Sequence, residues 1–324
     1  MPEPEFAARP PRILGDVGGT NARFAWQDTD GAPLRDVVTL ATVDYPTLAA
    51  ALRVYLSGTG RGAPPWCAIG IANPITGDEV RMTNSHWSFS IDAVRRDLGF
   101  ERLVVVNDFT ALALALPDLP GDELRQVGGG SAEPAMPKAL IGPGTGLGVS
   151  GLVPGARDGE WRALQGEGGH VTLAAGTARE AAVLQHLRER FGHASAERAI
   201  SGQGLEALFE AICALDGATS GPLPAAAITQ RALAASDARC VEVVDLFCGF
   251  LGSVAGNLTL TLGARGGLYI GGGIVPRLGA AFDRSRFRAC FEAKGRFSSY
   301  LAPIPAFVIC SEVSPALLGA ARAL

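Results

Sequence analysis

The sequence predicts a layered α/β protein in two lobes, and three observations carry that expectation. Apolar runs of strand length alternate with segments of helical periodicity, as in sheets covered by helices. The chain has 324 residues, 48% of them hydrophobic, which is more than one compact domain usually holds. A Gly-rich turn between apolar runs occurs early, in "ILGDVGGTNARFAW", and again further on, in "ALIGPGTGLGVSGLV".

Taken in order, "MPEPEFAARPPR" has two Glu and four Pro where a secretory signal needs a basic start and an apolar run, so a loose tail is expected there. "ILGDVGG" (13–19) and "ARFAW" (22–26) read as paired strands, and "WCAIGIA" (66–72) and "RLVVVN" (102–107) as buried strands. Helical patterns cover 47–57 and 109–116. A Pro/Gly-rich interval, "LPDLPGDE" followed by "GGGSAEPAMPK", marks the lobe boundary. Beyond it, 139–153 repeats the opening architecture without detectable identity. Helices are expected over 178–190 and 204–215, a strand over 267–273, and then "AFVICS" with a short terminal helix.

The segment 243–262, "VVDLFCGFLGSVAGNLTLTL", is nearly apolar and long enough for a membrane span. Gly252 and Gly256 even carry small-xxx-small spacing. Asp245, Ser253, Asn257, Thr259 and Thr261 interrupt it and no second span follows, so a central buried helix is expected, with the glycines allowing close helix approach.

A formal net charge of -4 with no Lys/Arg cluster argues against nucleic-acid or membrane-surface partners, which need a basic stripe. Six cysteines without a CxxC and only four histidines suggest neither disulfides nor zinc. Reduced, mostly buried thiols of a cytoplasmic protein are the expectation.

No Walker loop is present: Lys138 and Lys294, the only lysines, follow Pro137 and Ala293. "GLGVSG" (146–151) matches a dinucleotide fingerprint, yet Pro154 and Gly155 interrupt the helix that should follow. What remains is a pair of Gly-rich turns between strands. Such turns bring backbone N–H groups close to phosphate oxygens, and a Thr hydroxyl adds a donor. Asp16 either orients a phosphate-bound Mg²⁺ through water or fixes its own turn. Asn107 and Asp108 stand where a buried strand gives way to a helix, a place for ligand contacts or for helix capping. Glu167 and His170 in "QGEGGHVTLA", and Glu197 near the start of a helix, suit a cluster of sugar hydroxyls when taken together.

Thirteen ordered motifs carry a resemblance across nearly the whole chain: "GDVGGTNAR", "YPTL", "ANPITGD", "MTNSHWSFS", "LGF", "NDFTA", "GTGLGV", "GEGGHV", "SAER", "SG.GL", "GGIVPR", "KGRF" and "LLG". The sequence resembles the bacterial glucokinase family of the Escherichia coli type. The related repressor, open-reading-frame and kinase (ROK) family typically adds a cysteine-rich zinc motif after that histidine, and "HVTLAAGTARE" has no cysteine.

The resemblance implies a two-lobed actin-like, ribonuclease-H-like ATPase fold with a central cleft. Its small α/β domain would comprise 1–118 with 311–324, and its large one 119–310. It implies phosphorylation of glucose by ATP, the first step of glycolysis, and a homodimer. Asn107, Asp108, Glu167, His170 and Glu197 would contact glucose, with Asp108 the catalytic base. The phosphate loops would be Gly15, Asp16, Val17, Gly18, Gly19, Thr20 and Asn21, and then Gly144, Thr145 and Gly146, extending to Gly148. Gly271, Gly272 and Gly273 would admit the adenosine, Asp16 would hold Mg²⁺ through water, and Asn84 and Trp87 would lie near the cleft. A non-catalytic sugar sensor on the same fold is the alternative, disfavoured by the retained Asp16, Thr20, Thr145 and Asp108. A polymerising actin-like protein would not need the sugar constellation. ADP or polyphosphate as donor is not separated from ATP by any single residue.

Overall fold

The computed structural model describes residues 9–157, 159–219, 221–311 and 313–324. The first eight residues of the expected tail lie outside the described residues. Two compact units are present, Met1–Leu119 with Ser311–Leu324, and Pro120–Cys310.

In the first unit, β1 (Arg12–Val17), β2 (Asn21–Gln27), β3 (Arg35–Ala41), β4 (Trp66–Ile71) and β7 (Arg102–Asn107) form one sheet in the order β3-β2-β1-β4-β7. A separate hairpin joins β5 (Glu79–Arg81) and β6 (Ser88–Ser90). The pairs β1/β2 and β2/β3 are antiparallel, while β1/β4 and β4/β7 are parallel. The central strands β1 and β4 are largely apolar because both of their faces are covered. Ile13, Val17, Cys67, Ile69, Leu103 and Val105 join the core that holds Phe24 and Trp87. Leu14 and Ala68 pack with Leu317 and Ala320 of the C-terminal helix Ala316–Arg322.

Helices α1 (Leu48–Thr59), α2 (Ile91–Leu98) and α3 (Asp108–Ala115) complete this unit. Thr47 and Ser90 cap α1 and α2 with their hydroxyls, satisfying N–H groups that have no partner within the helix. Helix α3 lies close to β4 because Gly70 has no side chain, and a Cβ there would stand 3.0 Å from that of Ala111. On its other side α3 meets the C-terminal helix, where a Cβ on Gly319 would collide with the Ala111 carbonyl.

The second unit repeats the topology. Its strands are β8 (Leu124–Val127), β9 (Lys138–Pro143), β10 (Leu147–Pro154), β11 (Trp161–Gln165), β12 (Leu268–Ile270) and β13 (Ala306–Ile309). They run in the order β11-β10-β9-β12-β13-β8. As in the first sheet, three antiparallel strands lead into two parallel pairings, β9/β12 and β12/β13. The antiparallel β8 is added at the edge. The expected echo of 13–26 in 139–153 is therefore a repeat of topology, β1/β2 corresponding to β9/β10. "GLGVSG" runs from the hairpin into β10, with no helix after it.

Helices α4 (Ala178–Phe191), α5 (Gly202–Leu215), α6 (Ala225–Leu233) and α7 (Ala238–Leu262) form most of this unit's helical part. The candidate span 243–262 lies in α7, which is largely buried and contributes Val243, Phe247, Phe250 and Leu251 to the core. Gly252 and Gly256 do allow close approach: Cβ atoms there would strike the carbonyls of Phe287 and Phe291, the ends of the first five residues of the helix Phe287–Glu292. The strand expected over 267–273 is shorter, because β12 stops at Ile270. Gly272 then turns with a φ of 76°, against the Pro143 carbonyl, a conformation that suits glycine alone.

Candidate active site

In the first unit, Asp16 is the penultimate residue of β1, and β7 delivers Asn107 and Asp108 two strands away. The hairpin after β1 closes with Gly18 N–H donating to the Asn21 carbonyl at 2.8 Å. Thr42 holds the turn from behind: its hydroxyl donates to the Gly19 carbonyl at 2.7 Å and its N–H to the Thr20 carbonyl at 2.9 Å. The space where Gly19 would carry a Cβ is taken by the Asn84 backbone, whose oxygen would lie 2.5 Å away. Gly15 is similarly closed by Ile69 at 3.0 Å, whereas Gly18 is open except for the Asn21 carbonyl at 3.6 Å. Thr20 is exposed at the tip.

Asn107 fills the capping role and a second one. Its Oδ1 accepts the N–H groups of Phe109 and Thr110 at 2.9 and 3.2 Å, capping α3, while its Nδ2 donates to Asp108 Oδ1 at 3.0 Å. Phe109 N–H donates to the same Asp108 oxygen at 2.9 Å. Asp108 Oδ2 has no partner among the described residues. Burial raises the Asp108 pKa to about 6, the negative charge of Asp16 adds to the rise, and the hydrogen bonds from Phe109 and Asn107 oppose it. The result is an oriented carboxylate with one free oxygen and a proton affinity close to that of a neutral-pH base.

Asp16 does not fix its own turn: its carboxylate accepts no hydrogen bond among the described residues. Its nearest cation is Arg23, the residue opposite it on β2, with N···O at 3.9 Å. A half-buried, unbonded carboxylate that repels a second one nearby fits a divalent cation, which would relieve that repulsion.

In the second unit, the hairpin between β9 and β10 closes with Gly144 N–H donating to the Gly146 carbonyl at 2.8 Å. Gly202 N–H, at the start of α5, donates to the Gly144 carbonyl at 2.9 Å. A Cβ on Gly144 would meet nothing within 4 Å, and Thr145 is exposed. Glu197 Oε2 accepts the Leu147 N–H at 2.9 Å. Glu197 lies in a turn ahead of α5, not in the helix itself. Its own N–H donates to the Gly169 carbonyl at 2.9 Å, inside the 3-10 turn Gly168–His170 that carries His170 and follows Glu167. Gly169 in turn packs so tightly on the Leu147 carbonyl that a Cβ would collide with it. Glu167 and His170 are exposed and their side chains are unbonded among the described residues. Gly271 N–H donates to the Ile141 carbonyl at 2.9 Å, which puts the 271–273 turn beside the end of β9.

The second unit thus gathers Gly144–Gly146, Glu167, His170, Glu197 and Gly271–Gly273 around one hairpin, and the first gathers Asp16, Gly18–Thr20, Asn107 and Asp108 around the other. Asn84 borders the first hairpin, but Trp87 is a core residue, 1% exposed, with its indole N–H on the Tyr45 carbonyl at 2.8 Å. Sequence reasoning passed over Thr42, which braces its turn from 22 and 23 residues away. It also passed over Asn73, whose carbonyl receives Asn107 Nδ2 at 3.5 Å. Contacts so distant along the chain leave no local pattern; "ANPITGD" around Asn73 was the one available signal.

Duplicated sheets, each with a glycine hairpin flanked by carboxylates, define the class as kinases of the actin-like ATPase fold. A glucokinase family model matches residues 13–324. A glucokinase from Chromobacterium violaceum is 58% identical over 97% of this chain and 89% of its own length. The crystal structure of a glucokinase from an Antarctic psychrotroph is similar with a TM-score of 0.88 at 36% identity, covering 98% of this chain and 99% of that one. A ROK-family glucokinase from Streptomyces griseus, in complex with glucose and AMPPNP, shares the fold at 18% identity with a TM-score of 0.63, over 96% and 98% of the two chains. The chain belongs to the glucokinase family.

Proposed function

We propose that the chain transfers the γ-phosphoryl group of ATP to the 6-hydroxyl of glucose, with Asp108 as general base. One observation carries the reading: Asp108 is fixed through Oδ1 by Asn107 and Phe109, leaves Oδ2 free, and has a pKa raised to about 6. At neutral pH Oδ2 is ionised and accepts the proton of the 6-hydroxyl as that oxygen bonds to the γ-phosphorus. The bond from the γ-phosphorus to the β,γ-bridging oxygen breaks, and ADP leaves.

Glucose hydroxyls are held by Asn107, Asp108, Glu167, His170 and Glu197. Asn107 has its Oδ1 committed to α3, so its sugar contact is a donation from Nδ2, replacing the long bond to the Asn73 carbonyl. Backbone N–H groups of the hairpins at 15–21 and 144–146 receive the phosphates, Thr20 and Thr145 add hydroxyl donors, and the glycine turn 271–273 admits the adenosine. Asp16 would hold Mg²⁺ through water, and Mg²⁺ would supply neutralisation of phosphate charge.

The reading extends to a cytoplasmic homodimer that needs neither nucleic acid nor membrane. Thiols outside any disulfide support the compartment: Cys67, Cys240 and Cys248 are buried, and burial pushes the Cys248 thiol up to about 12, keeping it protonated and inert. Light scattering on the eluting protein tests the dimer. NADPH formation coupled through glucose-6-phosphate dehydrogenase, with ATP, ADP or polyphosphate in parallel, tests the activity and its donor. A glucose-dependent signal with ATP is expected, and silence with every donor would overturn the reading.

A further inference from the structure

Gly146 stands in the second hairpin, where glycine is commonly explained by phosphate approach or by backbone freedom. Its φ lies outside the left-handed region, so the position does not demand a glycine conformation. What it lacks room for is a Cβ, and the group filling that space is the Glu197 carboxylate, with Oε2 where the Cβ would stand. The same oxygen accepts the N–H of the next residue, Leu147, at 2.9 Å. Oε1 has no partner among the described residues.

We propose that Gly146 is a positioning residue for the sugar: its missing side chain forms the seat in which Leu147 holds Glu197, and so sets glucose affinity. This rests on the reading of Glu197 as a glucose ligand. The main chain of Glu197 is fixed on both sides, its N–H bonded to the Gly169 carbonyl at 2.9 Å and its carbonyl to the Ser201 hydroxyl at 2.8 Å. An alanine at 146 therefore cannot push the backbone of Glu197 aside. It rotates the carboxylate off the Leu147 N–H. The atom in the way is the tip of a flexible side chain, so the fold tolerates the change while the sugar contact does not.

The test compares the parent with Gly146→Ala, Glu197→Asp and the double variant, by steady-state kinetics and by calorimetry with glucose alone. Gly146→Ala melts close to the parent, and its glucose KM and Kd rise on the order of tenfold to a hundredfold as a charge-assisted bond is lost, the Kd being read with no nucleotide present and so apart from any phosphate contact of the hairpin. Glu197→Asp, shorter by one methylene, weakens glucose binding in the parent background but restores part of it beside Ala at 146. A Gly146→Ala variant with raised KM for ATP and unchanged glucose Kd would overturn the seat and leave phosphate clearance as the role of Gly146. Effects of the two substitutions that simply multiply would also overturn it. A parent that binds and phosphorylates no glucose would overturn the kinase reading and the seat with it, whereas an active parent with an unaffected Gly146→Ala would remove the seat alone.

Discussion

The hairpin between β1 and β2 turns through Gly18, Gly19 and Thr20 and is braced from behind by Thr42 and by the Asn84 backbone. The hairpin between β9 and β10 turns through Gly144, Thr145 and Gly146 and is braced by Gly202 and by the Glu197 carboxylate. Their sheets share a topology, yet the carboxylate reaches each by a different route. In the first it stands in the sheet or directly after it, Asp16 on β1 and Asp108 as the residue that follows β7 and begins α3. In the second it arrives from a turn outside the sheet. Under the proposed function the difference separates two tasks. Carboxylates fixed in a sheet have little freedom and suit metal and proton chemistry, where distance decides the rate. A carboxylate on a turn, held by one backbone N–H, suits recognition of hydroxyls.

The largest effect that could break this comparison is Asp108→Asn, which keeps shape and removes the base. We expect kcat to fall on the order of 10²- to 10⁴-fold with glucose affinity changed far less; stopped assays at saturating substrates check it, and an unchanged kcat would remove Asp108 from the role. Next is pH. Because the Asp108 pKa is raised to about 6, rate profiles should lose activity below pH 6, by about tenfold per unit well under the midpoint. A limb near pH 4 would mean that burial does not control this group. Stability runs the opposite way: the folded chain keeps this proton between the ordinary value of 3.8 and about 6, so the contribution of Asp108 to stability is greatest below that window and falls as pH rises through it.

Two smaller effects sharpen the contrast between the braces. Gly19→Ala drives a Cβ into the backbone of Asn84, which cannot rotate away, so we expect a loss of about 1–3 kcal/mol in denaturant unfolding. Gly146→Ala should lose much less, and equal losses would erase the distinction. Thr42→Val removes the hydroxyl bonded to the Gly19 carbonyl and should cost about 1 kcal/mol, with a rise in the KM for ATP as the turn loosens. An unaltered KM would show that Thr42 serves the fold alone.

Much of the core was legible because its signals are local. The runs 13–19, 22–26, 66–72 and 102–107 are strands, and 47–57 and 109–116 are helical but for a residue or so at their ends. The edge strand β3 went unread because "RDVVTLA" is mostly solvent-facing and lacks a buried alternation. Helix α2 is only 8 residues long, although Ser90 ahead of it is an ordinary capping signal. At the candidate site, the motifs around Asp108 and Glu197 single out both residues, but what fixes each is not legible in them. The bond from Leu147 to Glu197 spans 50 residues, and no periodicity encodes a contact of that kind.

Gly319 gives the first unit an order of assembly. The C-terminal helix lies against Ala111 of α3, the helix that begins with Asp108. A ribosome releases all of Pro120–Cys310 before that helix emerges, so the sheet carrying β1, β4 and β7 waits for its final cover until translation has passed residue 322. Asp108 begins the helix that this cover packs against, so the fold around it is finished only when residues from both ends of the first unit's two segments are present.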